Sequence, residues 1–175
     1  MTAYLLTSTT VVPLVGKLSD QFGRKGFVLT GIGLFLLGSA LAGIAQTMIQ
    51  LLLFRGLQGL GAGFMQTLAF TLVADLFPPA ERGRWQGLFA SVLSLVLIVA
   101  PALGGWLTDH ASWRWVFYMN MPVGGLALVL LAVWLPSRLS APRRAYRGWE
   151  AWLRIDFVGA ITAAAATICL LLALT

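Results

Sequence analysis

Cysteine and histidine are almost absent from this chain, which holds one of each, Cys169 and His110, in 175 residues. A lone cysteine closes no internal disulfide, and two scattered side chains build no metal cluster. His110 has Asp109 and Trp113 near it in sequence, but no recognisable motif brings a nucleophilic serine or cysteine to it. The ring therefore reads as solvated rather than catalytic, and no enzyme is indicated. Charge is the next scarcity: Lys, Arg, Asp and Glu make up 10% of the chain, with six acidic residues in all. Strict apolar/polar alternation is missing as well, which argues against barrel strands. No positive stretch precedes the first apolar run, so that run does not read as a secretory signal.

What fills the chain is hydrocarbon. Hydrophobic residues are 59% of the sequence and mean hydropathy is +0.87, far from the averages of soluble domains. The apolar residues gather in six runs, 1–16, 27–46, 48–76, 87–107, 116–135 and 157–174. These are near the ~20 residues that cross a hydrocarbon layer about 30 Å thick. In lipid a helix satisfies every backbone N–H and C=O within its own segment. The expected fold is an all-α, multi-pass membrane protein with six transmembrane helices. The first run is the least typical, with Tyr4, Thr7, Ser8, Thr9, Thr10 and Pro13 inside it.

Basic residues alternate between loops. Lys17, Arg24 and Lys25 follow the first run, Arg82 and Arg84 the third, and Arg138, Arg143, Arg144, Arg147 and Arg154 the fifth; the second loop has none and the fourth only Arg114. Short loops rich in Lys and Arg stay on the cytoplasmic side. That rule puts GKLSDQFGRK (16–25) inside as a tight turn, and the 109–114 segment outside. The net charge of +6 is then a consequence of topology and gives no support to a nucleic-acid partner.

Two charged or polar groupings need more than topology. In 16–25, Gly16 and Gly23 permit a sharp reversal, and Asp20 beside Arg24 and Lys25 can form a charge latch, with Asp75 ending the third run on the same side. In LLLFRGLQGLGAGF (51–64), Arg55 stands about seven residues into the span, roughly 10 Å deep at 1.5 Å per residue. A charge near mid-membrane costs roughly 2.5–3.5 kcal/mol on insertion scales, so it belongs in a bundle interior or a water-filled cavity. Gln58, Gly59, Ala62 and Gln66 continue its helical face, leaving Leu57, Leu60 and Phe64 for lipid. Gly59 and Gly63 form a small-xxx-small pair for a neighbouring helix. In the fourth run, Gly87, Pro101, Gly104 and Gly105 give a thin, bendable surface. Trp113, Trp115, Phe117 and Tyr118 suit an outer aromatic belt.

These stretches carry a family resemblance. The pattern G-x-L-x-D-x-x-G-R-K at Gly16, Leu18, Asp20, Gly23, Arg24 and Lys25 resembles the loop signature of the major facilitator superfamily, with Gln21 in place of a usual basic residue. Arg55, Gln58, Gly59, Gly61 and Ala62 resemble the superfamily's fourth-helix motif, whose Arg is associated with proton coupling. Gly87, Pro101, Gly104 and Gly105 match the drug-efflux antiporter motif, with Val96 and Ala100 replacing two of its glycines. WRWVFYMNMPVGG (113–125) resembles the lead into the sixth helix of the fourteen-helix multidrug:proton antiporters, the EmrB/QacA-like group.

The resemblance implies a fragment covering that family's second to seventh helices. Residues 1–135 would be a partial N-terminal transporter half, 136–156 a basic cytoplasmic loop and 157–175 a further transmembrane helix. It implies export of drugs or other small amphipathic solutes in exchange for protons across a bacterial inner membrane. Arg55, Gln58 and Gln66 would line the pathway, and Gly16, Asp20, Gly23, Arg24, Lys25 and Asp75 would form the latch. No cofactor or metal is implied. Because Asp20, Asp75, Glu81, Asp109, Glu150 and Asp156 all fall in loops or at span ends, the proton-carrying carboxylate would lie in transporter helices outside this sequence. The alternatives are a porter of the same superfamily for another solute, and an inactive remnant that acts through a partner.

Overall fold

A computed structural model describes residues 2–136 together with Thr162, Ala165, Ala166 and Cys169. The expected loop 136–156 and span 157–174 lie outside the described residues, apart from Pro136 and those four positions. Within residues 2–136 six helices follow in order: α1 Thr2–Phe22, α2 Arg24–Gly43, α3 Met48–Leu76, α4 Pro79–His110, α5 Trp115–Tyr118 and α6 Asn120–Trp134. No strand occurs among the described residues. Among the described residues four stretches are long and apolar enough to cross a membrane, namely Arg24–Gly43, Met48–Leu76, Pro79–His110 and Trp115–Trp134.

Helix α1 stays helical despite its hydroxyls because it satisfies them itself. Thr7 Oγ1 donates to the carbonyls of Ala3 and Tyr4, Ser8 Oγ to Leu5, and Thr9 Oγ1 to Leu5 and Leu6. Such back-bonding hides polar groups from lipid at little cost to the helix. The segment 16–25, expected as a turn, is mostly helix: α1 runs through Gly16–Phe22, and Gly23 alone breaks the chain before α2 begins at Arg24. Gly23 has φ 95°, the only positive φ among the described residues, a conformation in which a Cβ is crowded.

The other boundaries have local causes. Thr47 caps α3 in a reciprocal box, its hydroxyl accepting from the Gln50 backbone N–H while the Gln50 side-chain Oε1 accepts from the Thr47 backbone N–H, which satisfies two donors that the first turn leaves open. Helix α4 begins eight residues before the expected 87 because Pro79 sits at its start, where a missing N–H is harmless. The expected span 116–135 corresponds to Trp115–Trp134, within which α5 and α6 are offset only at Met119, whose backbone stays right-handed helical at φ −58° and ψ −26°. Pro122 has no N–H to offer the Tyr118 carbonyl one turn back.

Helix α3 is the centre, flanked by α1 and α2. Its glycines alternate between these neighbours. A Cβ on Gly59 would strike Thr7 Oγ1 and the Tyr4 carbonyl, and one on Gly63 would lie 2.5 Å from the Ser8 carbonyl, so this pair faces α1. A Cβ on Gly61 would strike Phe35 N–H and lie 2.6 Å from the Gly31 carbonyl, so Gly61 faces α2. Val15, Val28, Ile32 and Leu68 form the buried core between the three helices, with Leu128 and Leu131 of α6 packed against it. Phe64, expected toward lipid, packs instead on Gly31 and stacks on Phe27 at 5.9 Å. A helix enclosed on two sides has no single solvent or lipid face.

Helix α4 is different. None of its residues is buried, and it touches the bundle mainly at its ends, where Trp85 stacks on Phe77 at 4.4 Å. A cavity of about 610 Å³ separates its base from α3 and α6, lined by Leu72, Phe77, Trp85, Phe89, Leu131 and Leu135 among others.

Candidate functional site

Two polar groupings lie at opposite ends of the bundle. At the Gly23 end, the Arg24 guanidinium joins three helices. Its Nε and Nη2 donate to Asp20 Oδ1 at 3.1 and 2.5 Å, its Nη1 donates to the Thr71 carbonyl at 3.0 Å, and Nη1 also pairs with Asp75 Oδ2. The Arg24 and Asp75 side chains are only 8% and 6% exposed, against 51% for Asp20. Helix dipoles oppose each of these charges singly, since the acids end α1 and α3 and the base starts α2. Their mutual contact is what makes the positions tenable.

Neighbouring cations serve helix ends. Lys25 Nζ donates to the Leu135 carbonyl at 2.9 Å, and Arg82 donates to Ala74 and Phe77 carbonyls at 2.8 and 3.2 Å. These are the C-terminal oxygens left over by α6 and α3. Gly16 faces Thr67 of α3, where an added Cβ would lie 3.8 Å from its methyl.

At the Trp113 end, Arg55 of α3 belongs to a closed ring of contacts. Its Nη1 donates to Gln58 Oε1 at 3.2 Å, and the guanidinium lies 4.6 Å from the Phe117 ring centre and 5.9 Å from that of Tyr4. Gln58 Nε2 donates to Ser39 Oγ at 3.1 Å, and Ser39 Oγ donates to the Phe117 carbonyl at 3.0 Å. Asn120 Nδ2 also donates to Ser39 Oγ at 3.0 Å. The hydroxyl thus uses its one proton and both lone pairs. It is fully buried at 0% exposure, with Gln58 at 2%. This ring reaches from α3 through α2 to α5 and α6. It forms because Gly38 lets α2 approach α3 closely: a Cβ there would lie 2.5 Å from the Gln58 backbone nitrogen. Beside it lies a cavity of about 410 Å³, lined by Tyr4, Met48, Leu51, Arg55, Trp113 and Phe117 among others.

The structure therefore brings together Asp20, Arg24 and Asp75, and separately Arg55 and Gln58. Gln66 is not with them; it is exposed, 11 residues further along α3. On α4, added Cβ atoms at Gly87, Gly104 and Gly105 meet nothing within 4 Å, and the helix runs through Pro101 without a break. Sequence reasoning passed over Ser39, which was visible as a small polar residue inside an apolar run. Asn120 stood within the 113–125 stretch with no partner to be read for it.

A half-bundle of apolar helices with a buried ion-pair cluster at one end and a stacked arginine at the other defines an integral membrane protein built to manage charge inside lipid. The sequence profile of the Major Facilitator Superfamily matches residues 1–175, and this chain belongs to that family, one of transporters rather than enzymes. It is similar to Multidrug resistance protein 3 of Bacillus subtilis strain 168, 43% identical over 172 residues, covering 98% of this chain and 32% of that protein. Multidrug transporter protein MdtP of the same strain is 40% identical over 174 residues, 99% of this chain and 30% of its own length. The chain spans about a third of the length of these curated relatives. Its fold is similar to that of a mutant of the peptide transporter POT crystallised with alafosfalin, at TM-score 0.76 and 21% identity, over 100% of this chain and 37% of that one.

Proposed function

We propose that this chain is the greater part of one half of a secondary active exporter, which moves small amphipathic solutes out of a bacterial cell across the inner membrane in exchange for protons. Residues 1–135 supply helices two to six of the fourteen-helix multidrug antiporter arrangement, 136–156 a basic cytoplasmic loop and 157–175 a further span. The observation that carries the reading is Arg55, a charge inside an apolar span whose partners are polar or aromatic side chains rather than lipid. Intramembrane charges of this kind mark substrate or ion pathways. The names of the relatives and the Gly87, Pro101, Gly104 and Gly105 pattern of α4 favour export over uptake. Helix α4, with no buried residue, supports a working form in which further helices cover it. In this reading the Arg24–Asp20–Asp75 cluster closes the cytoplasmic end and Arg55 couples proton movement to the solute.

The test is efflux of a fluorescent amphipathic dye from proteoliposomes holding the full-length protein. An imposed pH gradient should drive efflux and a protonophore should stop it. Efflux at the same rate without a gradient would remove proton coupling from the account.

A further inference from the structure

We infer that the cavity beside Arg55 binds an amphipathic carboxylate, an acid group on an apolar body, and that this is a solute class the exporter accepts. The inference rests on the export reading for its setting, while the binding itself stands on geometry. Guanidinium carries five N–H donors. One is used on Gln58, and the others have no acceptor among the described residues; no carboxylate pairs with Arg55 there. The group is held in place by the ring through Ser39 and by Phe117, so its orientation is set before any ligand arrives. A fixed, planar fork with spare donors in a low-dielectric setting matches a carboxylate's two oxygens.

The rest of the cavity suits the rest of such a molecule. Met48, Leu51, Leu52 and Val116 supply aliphatic wall, and Tyr4, Phe117 and Trp113 supply rings. At about 410 Å³ the volume falls in the range of roughly 300–1,000 Å³ usual for small-molecule sites. An organic cation would meet the Arg55 charge at the same spot, and a neutral alkyl chain would leave the spare donors unsatisfied. Charge sign and shape together select the acid.

Equilibrium binding of radiolabelled octanoate to the full-length protein in phosphatidylcholine nanodiscs, corrected for empty discs, tests this. Saturable binding is expected, displaced by unlabelled octanoate but not by equal octanol or octyltrimethylammonium. Arg55→Gln should weaken it at least tenfold. Trp113→Ala, at the exposed rim where the indole meets the edge of Phe117 at 6.0 Å, should weaken it several-fold with the thermal unfolding midpoint of the wild type, and Trp106→Ala should leave it unchanged. Non-saturable binding, equal displacement by octanol, or equal affinity in wild type and the Arg55 and Trp113 variants would overturn the inference. Gradient-driven dye efflux measured on the same preparation separates the two claims. Efflux without octanoate binding removes the site and leaves the exporter; binding without efflux does the reverse.

Discussion

Ser39 decides more than its size suggests. A single hydroxyl holds the Gln58 amide, the Asn120 amide and the Phe117 carbonyl, and through Gln58 and Phe117 it fixes two of the three contacts of Arg55, the third being the Tyr4 ring. Ser39→Ala leaves the buried Gln58 amide and Phe117 carbonyl and the half-buried Asn120 amide without that partner, at a cost of about 1–3 kcal/mol. A lower midpoint in thermal unfolding of the detergent-solubilised protein is the expected result; an unchanged midpoint would show that the three groups find other partners. Arg55 could be recognised from sequence because a charge in an apolar run is costly wherever it points. Ser39 could not, since its role depends on which helix stands opposite. Gln66 shows the same limit from the other direction. Helical period gave it the azimuth of Arg55 and Gln58, but period says nothing about which neighbour is present 11 residues further along.

At the scale of elements, small residues and charges do different work. Gly61 meets the backbone of α2 so closely that a Cβ would lie 2.6 Å from the Gly31 carbonyl, whereas one on Gly33 would meet nothing within 4 Å. Gly61→Ala is expected to destabilise by about 1–3 kcal/mol, the usual cost of overpacking, and Gly33→Ala to be close to neutral; yields of monodisperse protein after extraction compare them. The charge cluster ties the ends of α1, α2 and α3 through Arg24. Measured by unfolding, a double-mutant cycle on Arg24 and Asp75 should return a coupling of about 0.5–3 kcal/mol, and additive single effects would mean that the two residues act independently. The charges of this cluster were legible because few others compete in the sequence. That the segment is helix on both sides of Gly23 was not, since two glycines and four charges in ten residues look like a loop when the packing partners in α3 are unknown.

For the whole molecule, the layout joins two ends of different chemistry. Among the described residues, Arg24, Lys25 and Arg82 close helix ends on one side and only Arg114 does so on the other, donating to the Ala45 carbonyl at 3.0 Å. The loop charges predict a cytoplasmic position for the first group. An impermeant thiol reagent applied to intact cells is expected to label a cysteine at position 110 and not one at 137; the opposite pattern would invert the topology. The class of fold was readable from composition and run length, and the uncovered α4 was not, because a helix's own sequence does not say whether its neighbour is lipid or protein.

Arg55 joins these scales, and its replacement by Lys gives the sharpest test of the central claim. Lysine keeps the charge and loses the planar fork that rests on Phe117 and reaches Gln58. In proteoliposomes of the full-length protein, Arg55→Lys should insert normally and lose gradient-driven dye efflux, as should Arg55→Ala. Wild-type efflux in Arg55→Lys would contradict the account and leave Arg55 as a structural anchor.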